Sequence, residues 1–516
     1  MKKLLFYFFG IISLLHGDGS IWTVPEAISN IALDSSEPDL VMDSAGNVTA
    51  VWIENGIIQT KEKPFGSAWS SATTLSGPGA SLLKAVIDNL DNVTIIWLEA
   101  GVVNTRTKTL GTWSATTNLS GVGATSLDIA VNPLGNLVAV WALSPNIESR
   151  TKLFGLPWSS VDTITSSGGS IPKVAMGNGN VVSVWQDTTG SFNAIFASEK
   201  ALAGSWSAPV TISDTFSHAA FPNIDVSSQG NAIAVWYRYN NIGSVYTDVI
   251  LSMAYKPAVG SWDTPENVSS PGVYDPANLN SFITFGTAEH ALFFWLNSFD
   301  GSTFDLNWRV RTQDGSFTEE ESTSVNDLYL YAFDVTTDLF DNTYVNFMHF
   351  DKNSSERVIQ SSGVTLTSPF RTLWGYFCSI SSGADNAFPK VTTRRLAATS
   401  ELASVWINYN GVQNIIYAAT GSILNPLPPT GLNVVQNVNA FGVFDEYFNV
   451  LTWVDVIDPD VILYAIYRND VFLEYVIPGV QTFTDHNQLL GVSVTYGIRS
   501  VSSNGFKSEL VTGILP

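Results

Sequence analysis

The stretch Asp43-Ser44-Ala45-Gly46-Asn47-Val48-Thr49-Ala50-Val51-Trp52 decides the fold, because closely related stretches recur along the chain. In each copy a turn-forming residue and an asparagine precede a short run of β-branched and small residues that ends in an aromatic side chain. Successive aromatic residues are 44 to 59 residues apart, a spacing typical of repeat architectures. The copies are Asn47/Trp52, Asn92/Trp97, Asn136/Trp141, Asn180/Trp185 and Asn231/Trp236, with weaker copies ending at Trp295, Phe347 and Trp406.

A second signal follows most copies: a glycine and an aromatic residue that lead into a short Ser/Thr-rich strand, as at Gly66/Trp69 and Gly111/Trp113. Each unit therefore contains four short β-runs, and a four-stranded antiparallel unit cannot bury both of its faces alone. Units of this length arranged radially form a β-propeller. The last unit lacks its outer strand, and the segment around Trp22 has the missing form. The sequence predicts an all-β, eight-bladed β-propeller over residues 19–423, with seven blades or an open β-solenoid as alternatives.

The repeated tryptophans invite a sugar-stacking interpretation. They alternate with Val, Ala and Ile at a fixed phase on one strand, which favours packing between units instead. We therefore expect core positions for this set: Trp52, Trp97, Trp141, Trp185 and Trp236.

The repeat resembles bacterial propellers of the sialidase-like and BNR-type group, over about residues 19–423. The resemblance is architectural. The chain has no Ser-x-Asp-x-Gly-x-Thr-Trp box, and its few arginines define no triad, so sialidase activity is not implied.

Residues 431–516 resemble a fibronectin type III domain, a β-sandwich, after a linker at 424–430 that contains Pro428 and Pro429. Trp453 matches the core tryptophan of its second strand, and Tyr496 the tyrosine-corner position of its sixth. Such a domain implies spacing or docking rather than catalysis.

The N-terminus has the layout of a secretory signal peptide over residues 1–18. Lys2 and Lys3 precede an apolar run that ends at Leu15, and small residues follow. The prediction is a secreted, cell-surface or periplasmic protein that does not insert into the membrane after cleavage, since no later run is long and apolar enough to span one.

Composition excludes several classes of function. The 516 residues carry a net charge of −22, which argues against nucleic-acid binding. Cys378 is the only cysteine, so there is no disulfide framework, and we expect it to be a small buried apolar residue. The histidines are scattered and no phosphate loop or nucleophile elbow is present, so no cofactor is expected. Asp-rich turns such as Asp88–Asn92 would be the only candidates for Ca²⁺, and they lack the spaced ligands of a known loop.

One constellation is a candidate site. Counting back eight residues from the repeat asparagines reaches charged or amide residues in five units, at the start of the first strand, where first strands line a central channel. In two further units the matching lysine follows a proline, as Asp39 follows Pro38. The hypothesis is a mixed-charge ring at one channel mouth that holds a small polar ligand, against the alternative of a purely structural polar ring. The ring residues are Asp39, Lys84, Asp128, Lys173, Asn223, Asp334 and Lys390.

These patterns favour a binding protein, whose partner would be an unknown protein or glycan, over an enzyme. Two alternatives stay open: a glycan-active hydrolase or lyase that uses carboxylates on channel loops, and a structural component of an envelope assembly. The oligomeric state is not indicated by the sequence.

Overall fold

The computed structural model describes residues 21–515 except 243–244, 273–279, 287–288, 298–303, 323–328, 339–341, 352–355, 368–370, 375–377, 382–385, 396–398, 442–444, 470 and 504–505. The predicted signal peptide, residues 1–18, lies outside the described residues. The described part is all-β, without a helix, and its strands form ten small antiparallel sheets. It accordingly contains no helix that is long and apolar enough to cross a membrane.

Two short strands, β1 (Ile21–Trp22) and β2 (Glu26–Ala27), come first. The next four sheets each use consecutive strands. Sheet 1 contains β3 (Ser35–Met42), β4 (Val48–Glu54), β5 (Ile57–Lys63) and β6 (Thr73–Thr74); sheet 2 contains β7 (Ala80–Ile87), β8 (Val93–Glu99), β9 (Val102–Thr109), β10 (Thr112–Trp113) and β11 (Thr117–Asn118); sheet 3 contains β12 (Ser126–Val131), β13 (Leu137–Leu143), β14 (Asn146–Lys152) and β15 (Asp162–Thr165); sheet 4 contains β16 (Ser170–Met176), β17 (Asn180–Thr189), β18 (Phe192–Ala201) and β19 (Val210–Thr211).

Four further sheets repeat this arrangement. Sheet 5 contains β20 (His218–Val226), β21 (Ala232–Ile242), β22 (Val245–Lys256) and β23 (Glu266–Asn267); sheet 6 contains β24 (Ser281–Phe285), β25 (Ala291–Asn297), β26 (Asp305–Arg311) and β27 (Glu321–Ser322); sheet 7 contains β28 (Tyr329–Thr337), β29 (Thr343–Asp351), β30 (Glu356–Thr367), β31 (Arg371–Trp374) and β32 (Cys378–Ser379); sheet 8 contains β33 (Asn386–Arg395), β34 (Thr399–Tyr409) and β35 (Asn414–Leu424), with β1 and β2 added to β35.

The first strands of these eight sheets contact one another in chain order. The contacts run from β3 through β7, β12, β16, β20, β24 and β28 to β33, and β33 contacts β3 again. The eight sheets therefore follow one another in a closed cycle. The cycle is completed within sheet 8, where β1 and β2 pair with β35, strands that are far apart in sequence.

The closing strand pairs antiparallel with β35. Trp22 lies opposite Gly421, and the Thr23 main-chain N–H donates to the Thr420 carbonyl at 2.7 Å. The Trp22 ring covers Gly421 so closely that a Cβ atom there would lie 2.8 Å from the ring. The predicted pairing of the Trp22 segment with the unit that ends in Trp406 is confirmed.

The core lies between neighbouring sheets. In sheet 1, Ala50 and Trp52 pack against sheet 8, whereas Val51 and Ile53, on the other face of the same strand, pack against sheet 2. Both faces of the strand are thus buried, as the alternating sequence requires. The tryptophans expected in the core are at most 1% exposed, which excludes them as sugar-stacking platforms.

Seven strands follow the eight sheets: β36 (Thr430–Ala440), β37 (Asp445–Val454), β38 (Val461–Arg468), β39 (Val471–Val476), β40 (Thr482–Gln488), β41 (Val494–Ser502) and β42 (Val511–Leu515). Sheet 9 has the order β36-β37-β40 and sheet 10 the order β39-β38-β41-β42. The expected linker, 424–430, is shorter than predicted, because its first residue ends β35 and its last begins β36.

Sheets 9 and 10 enclose one apolar cluster that includes Trp453, Tyr464 and Tyr496. Tyr496 is fully buried, and its hydroxyl donates to Asp485 Oδ2 at 2.7 Å and accepts from Asn449 Nδ2 at 2.9 Å. Burial, helped by Asp485, raises the pKa of Tyr496 to about 12. The hydroxyl thus bonds to side chains, whereas a tyrosine corner bonds to the main chain.

The segment between β41 and β42 also contacts sheet 7. The Phe506 ring stacks on Tyr344 with centroids 6.0 Å apart, and the Lys507 main-chain N–H donates to Asn342 Oδ1 at 3.1 Å. Phe506 is 2% exposed and belongs to the apolar cluster between sheets 7 and 8.

The closure makes a prediction for Gly421. Gly421→Val should lower the free energy of unfolding by about 1–3 kcal/mol, because the new side chain would overlap the Trp22 ring. Urea unfolding followed by tryptophan fluorescence measures the change. Gly121→Val is the control, since a Cβ atom at Gly121 meets nothing within 4 Å. If Gly421→Val lowers the free energy of unfolding equally in the wild-type and Trp22→Ala backgrounds, the new side chain does not displace Trp22.

Candidate functional site in the central cavity

The seven ring residues occupy one register position. Each lies on the first strand of its sheet, opposite the residue that precedes the core aromatic on the second strand. Asp39, for example, faces Val51, and Lys390 faces Val405. Sheet 6 carries Phe282 at this position, opposite Phe294, so the ring has an apolar member that the sequence count did not assign.

A β-bulge precedes the ring residue in most sheets. The register shifts between Ser36 and Asp39 in sheet 1 and between Ser170 and Lys173 in sheet 4. A bulge re-aims the side chains that follow it. One residue in each of five bulges has a left-handed backbone, which is unfavourable for side chains such as that of Ile171. These residues are Glu37, Leu82, Ile171, Phe221 and Phe388, with φ between 48° and 55°.

The ring aspartates join neighbouring sheets through the main chain. Asp39 accepts from its own neighbour, Leu40 N–H, at 2.9 Å and from Ala85 N–H in sheet 2 at 2.8 Å. Asp128 accepts from Val174 N–H in sheet 4 at 3.0 Å. Each carboxylate thus satisfies an N–H on the first strand of the following sheet.

The same link recurs in the second half of the cycle. Asp334 accepts from Val391 N–H in sheet 8 at 2.9 Å. In sheet 5 the link comes from Asp225, which accepts from Phe285 N–H in sheet 6 at 2.8 Å. Burial raises the pKa of Asp225 to about 6. Asn223, the predicted residue of sheet 5, instead donates to the Ser281 carbonyl at 3.1 Å.

The lysines alternate with these aspartates around the ring. Lys84 pairs with Asp128, and Lys390 Nζ lies 3.3 Å from Asp334 Oδ1. Burial by itself would raise the pKa of Asp128, but Lys84 and Lys173 hold it below its usual value. The pKa of Lys390 is raised, chiefly by Asp334.

Lys173 has a different electrostatic environment. The nearby charge of Lys84, together with burial and Lys390, lowers the pKa of Lys173 to about 8, against the opposing pull of Asp128. The pKa of Asp39 is raised, first by burial and also by Asp334, although Lys390 opposes the shift. The ring therefore brings like charges together, and the charged form of Lys173 is less favourable than that of an ordinary lysine.

Four of the seven ring residues line one cavity of about 650 Å³. A volume of this size suits a small ligand. Asp128 and Asp334, the ion-pair partners of Lys84 and Lys390, are not among its lining residues, and neither is Asn223. The charged side chains on the cavity are Asp39, Lys84, Lys173, Lys390 and the bulge residue Glu37, and the apolar ones include Leu82, Leu127, Ile129, Phe388 and Ile407.

Across the described residues, no group of three or more His, Cys, Asp or Glu side chains is placed to hold a metal ion. In the turn at Asp88, the carboxylate accepts from the Asn92 main-chain and side-chain N–H groups at 2.9 Å each, which is hairpin chemistry.

No protein-family model matches this sequence, and no curated protein matches it. Three solved structures are similar in part. The spore cortex lytic enzyme SleM of Clostridium perfringens is 18% identical with a TM-score of 0.15, and the match covers 21% of this chain and 35% of that one. A prolyl endopeptidase is 12% identical with a TM-score of 0.39, covering 73% and 55% of the two chains. The polysaccharide lyase Uly1 is 10% identical with a TM-score of 0.37, covering 79% and 90%.

The chain thus spans about a third and about half of the length of the first two proteins. Similarities of this size assign no activity to it, and the enzyme alternatives stay predictions.

The charges of the ring predict how the pKa of Lys173 responds to the loss of Lys84. In Lys84→Met the pKa of Lys173 should rise from about 8 toward the ordinary lysine value of 10.5, because the charge of Lys84 is the largest cause of its depression. NMR titration of ¹³C-methylated lysines measures both values. Lys63→Met, in the outer part of sheet 1, should leave Lys173 unchanged. A wild-type Lys173 that titrates near 10.5 would contradict the described environment.

Proposed function

We propose that this protein is a secreted or cell-surface binding protein and that its ligand site is the cavity at Lys84, Lys173 and Lys390. In this proposal residues 21–424 form an eight-bladed β-propeller, which the closed cycle of first strands supports. Residues 430–515 form a fibronectin type III-like sandwich, supported by the strand orders of sheets 9 and 10. The N-terminal sequence supports export.

The site favours a small ligand with an anionic group. The observation that carries this is the placement of three lysines on one cavity, with Lys173 held beside Lys84 and Lys390. Two of the ring carboxylates, Asp128 and Asp334, are paired with lysines and do not line the cavity. The two acidic side chains that do line it are already engaged, since Asp39 accepts from Ala85 N–H and Glu37 from Leu83 N–H at 2.9 Å.

An anion placed between the lysines would relieve their mutual repulsion and would form charge-assisted hydrogen bonds. The apolar side chains on the same cavity, such as Leu127 and Ile129, would pack against the carbon frame of the ligand. A small acidic sugar or another compact organic acid combines both properties. A hydrolase or lyase would instead need two free carboxylates across the cavity, and turnover of fluorogenic glycosides would favour that alternative.

The docked C-terminal sandwich supports a role in presentation. Its contact through Phe506 holds it against sheet 7, so that it would space the ring from a surface or a partner at a fixed orientation. Binding experiments with the whole chain would identify that partner.

The proposal predicts a pH dependence of binding. Glucuronate, used as the probe in isothermal titration calorimetry, should bind more tightly at pH 7 than at pH 9. Lys173 is charged below its pKa of about 8 and loses its proton above it. Lys173→Met should weaken binding at pH 7 by about tenfold, the loss expected for one charge-assisted hydrogen bond, and should remove most of the pH dependence.

Lys63→Met and glucose are the matched controls for this experiment. The first removes an ammonium away from the central cavity and should bind as wild type, and the second lacks the carboxylate and should bind weakly. Equal affinity for glucose and glucuronate, or an unchanged affinity in Lys173→Met, would refute an anion site at this cavity.

A further inference from the structure

A second cavity lies between the outer strands of sheets 2 and 3, apart from the central ring. Its volume is about 490 Å³. Sheet 2 contributes residues of β9 to β11, and sheet 3 contributes the end of β14 and the turn that follows it. We call it the outer groove, and its main side chains are Arg106, Trp113, Arg150, Lys152 and Trp158.

The outer groove is basic on an acidic protein. The chain has 24 lysines and arginines against 46 acidic residues, yet three cations and no carboxylate are among the residues that line this groove. Asp88 acts on Lys152 electrostatically but is not a lining residue. The net negative charge of the whole molecule repels anions. An anion that binds in this groove must therefore be attracted by the local positive charges.

Arg150 differs from its structural counterparts. Arg106 and Arg309 occupy the same register as Arg150, each opposite the residue two before the core tryptophan. Arg106 donates from Nε to the Ser114 carbonyl at 2.6 Å and from Nη1 to the Leu75 carbonyl at 2.8 Å, and Arg309 makes the same two kinds of bond. Arg150 Nε is buried and has no hydrogen-bond partner. A buried donor without an acceptor is unfavourable, so turning the Arg150 guanidinium toward the groove, where a ligand oxygen could accept from it, would remove this penalty.

The two groove tryptophans are only partly buried, unlike the tryptophans of the core. Trp158 packs on the cluster between sheets 2 and 3, and Trp113 on the cluster between sheets 1 and 2. Of the two, Trp158 lies on the side of the groove, and its partly exposed indole ring is an apolar surface suited to stacking on a sugar ring. The exposed residues Thr109, Thr112 and Thr117 also line the groove, and their hydroxyl groups can exchange hydrogen bonds with sugar hydroxyls.

We propose that the outer groove binds an anionic polysaccharide, with a sugar ring on Trp158 and its carboxylate or sulfate at Arg150 and Lys152. The paired N–H donors of a guanidinium match the two oxygens of either group. Because the groove lies on the outer part of two sheets, a polysaccharide could reach it and bind through an internal segment of its chain. The inference does not depend on the proposed function of the ring.

The test uses the protein without its signal peptide and three immobilised probes: heparin, which carries sulfates and carboxylates; polygalacturonate, which carries carboxylates alone; and dextran, which is neutral. Surface plasmon resonance at constant salt should show binding to at least one of the two polyanions and none to dextran. Binding to heparin alone assigns the site to sulfates, and binding to polygalacturonate assigns it to carboxylates. Absence of binding to both polyanions overturns the proposal.

The chain supplies matched control variants. Lys63 lies opposite Val48 in sheet 1 as Lys152 lies opposite Leu137 in sheet 3, and Trp69 follows Lys63 by the same six residues that separate Trp158 from Lys152. Arg150→Ala and Trp158→Ala should each weaken polyanion binding at least tenfold. Lys63→Ala and Trp69→Ala should leave it within twofold of wild type.

Conservative variants keep the test decisive if an alanine variant misfolds. Arg150→Lys keeps the charge without the fork of donors and should bind between wild type and Arg150→Ala, and Trp158→Phe keeps a stacking surface and should retain most of the affinity. Equal losses in the Lys63 and Arg150 variants would contradict a site in the outer groove.

Discussion

The rest of the structure depends on the antiparallel pairing between β1, at the start of the described chain, and β35. The pairing joins Thr23 to Thr420, 397 residues apart, through main-chain and side-chain hydrogen bonds. Trp22 adds a large ring over Gly421 on the face turned toward the core between sheets 7 and 8. Without this strand, sheet 8 would present an open edge along part of β35.

Closure has a consequence at the centre of the molecule. Because the first strands contact one another around the cycle, their bulges and the side chains that follow come together. Alternate sheets supply a carboxylate that accepts an N–H of the next sheet, as at Asp39, Asp128 and Asp334. The intervening sheets supply lysines. Sheets 5 and 6 depart from this two-sheet pattern, since Asn223 and Phe282 replace the charges and Asp225 makes the link instead.

Much of this arrangement could be predicted from the sequence. The spacing of the aromatic residues gave the repeat, the unattached Trp22 segment indicated the closing strand, and counting back from the repeat asparagines reached a single register position. These are local patterns with a fixed phase, and each copy reinforces the others. Prolines such as Pro38 and Pro172, next to ring residues, were the available signal for the bulges.

Other features could not be predicted, because they depend on contacts between residues distant in sequence. The convergence of Lys84, Lys173 and Lys390 on one cavity depends on how the strands tilt and how the bulges aim their side chains. The lack of a hydrogen-bond partner for Arg150 Nε is recognised only by comparison with Arg106 and Arg309, whose Nε atoms donate to carbonyls. The stacking of Phe506 on Tyr344 joins two parts of the chain whose sequences carry no mark of the contact.

Hydrogen exchange at the N-terminus tests the closed cycle most directly. The amides of Thr23 and Ile28 donate to the carbonyls of Thr420 and Ile416. In a chain that begins at residue 19, mass spectrometry of peptides from this region should therefore show protection comparable to that of β35. Complete exchange of residues 21–28 within seconds, while β34 and β35 stay protected, would show that the strand is not part of sheet 8 and that the cycle is open.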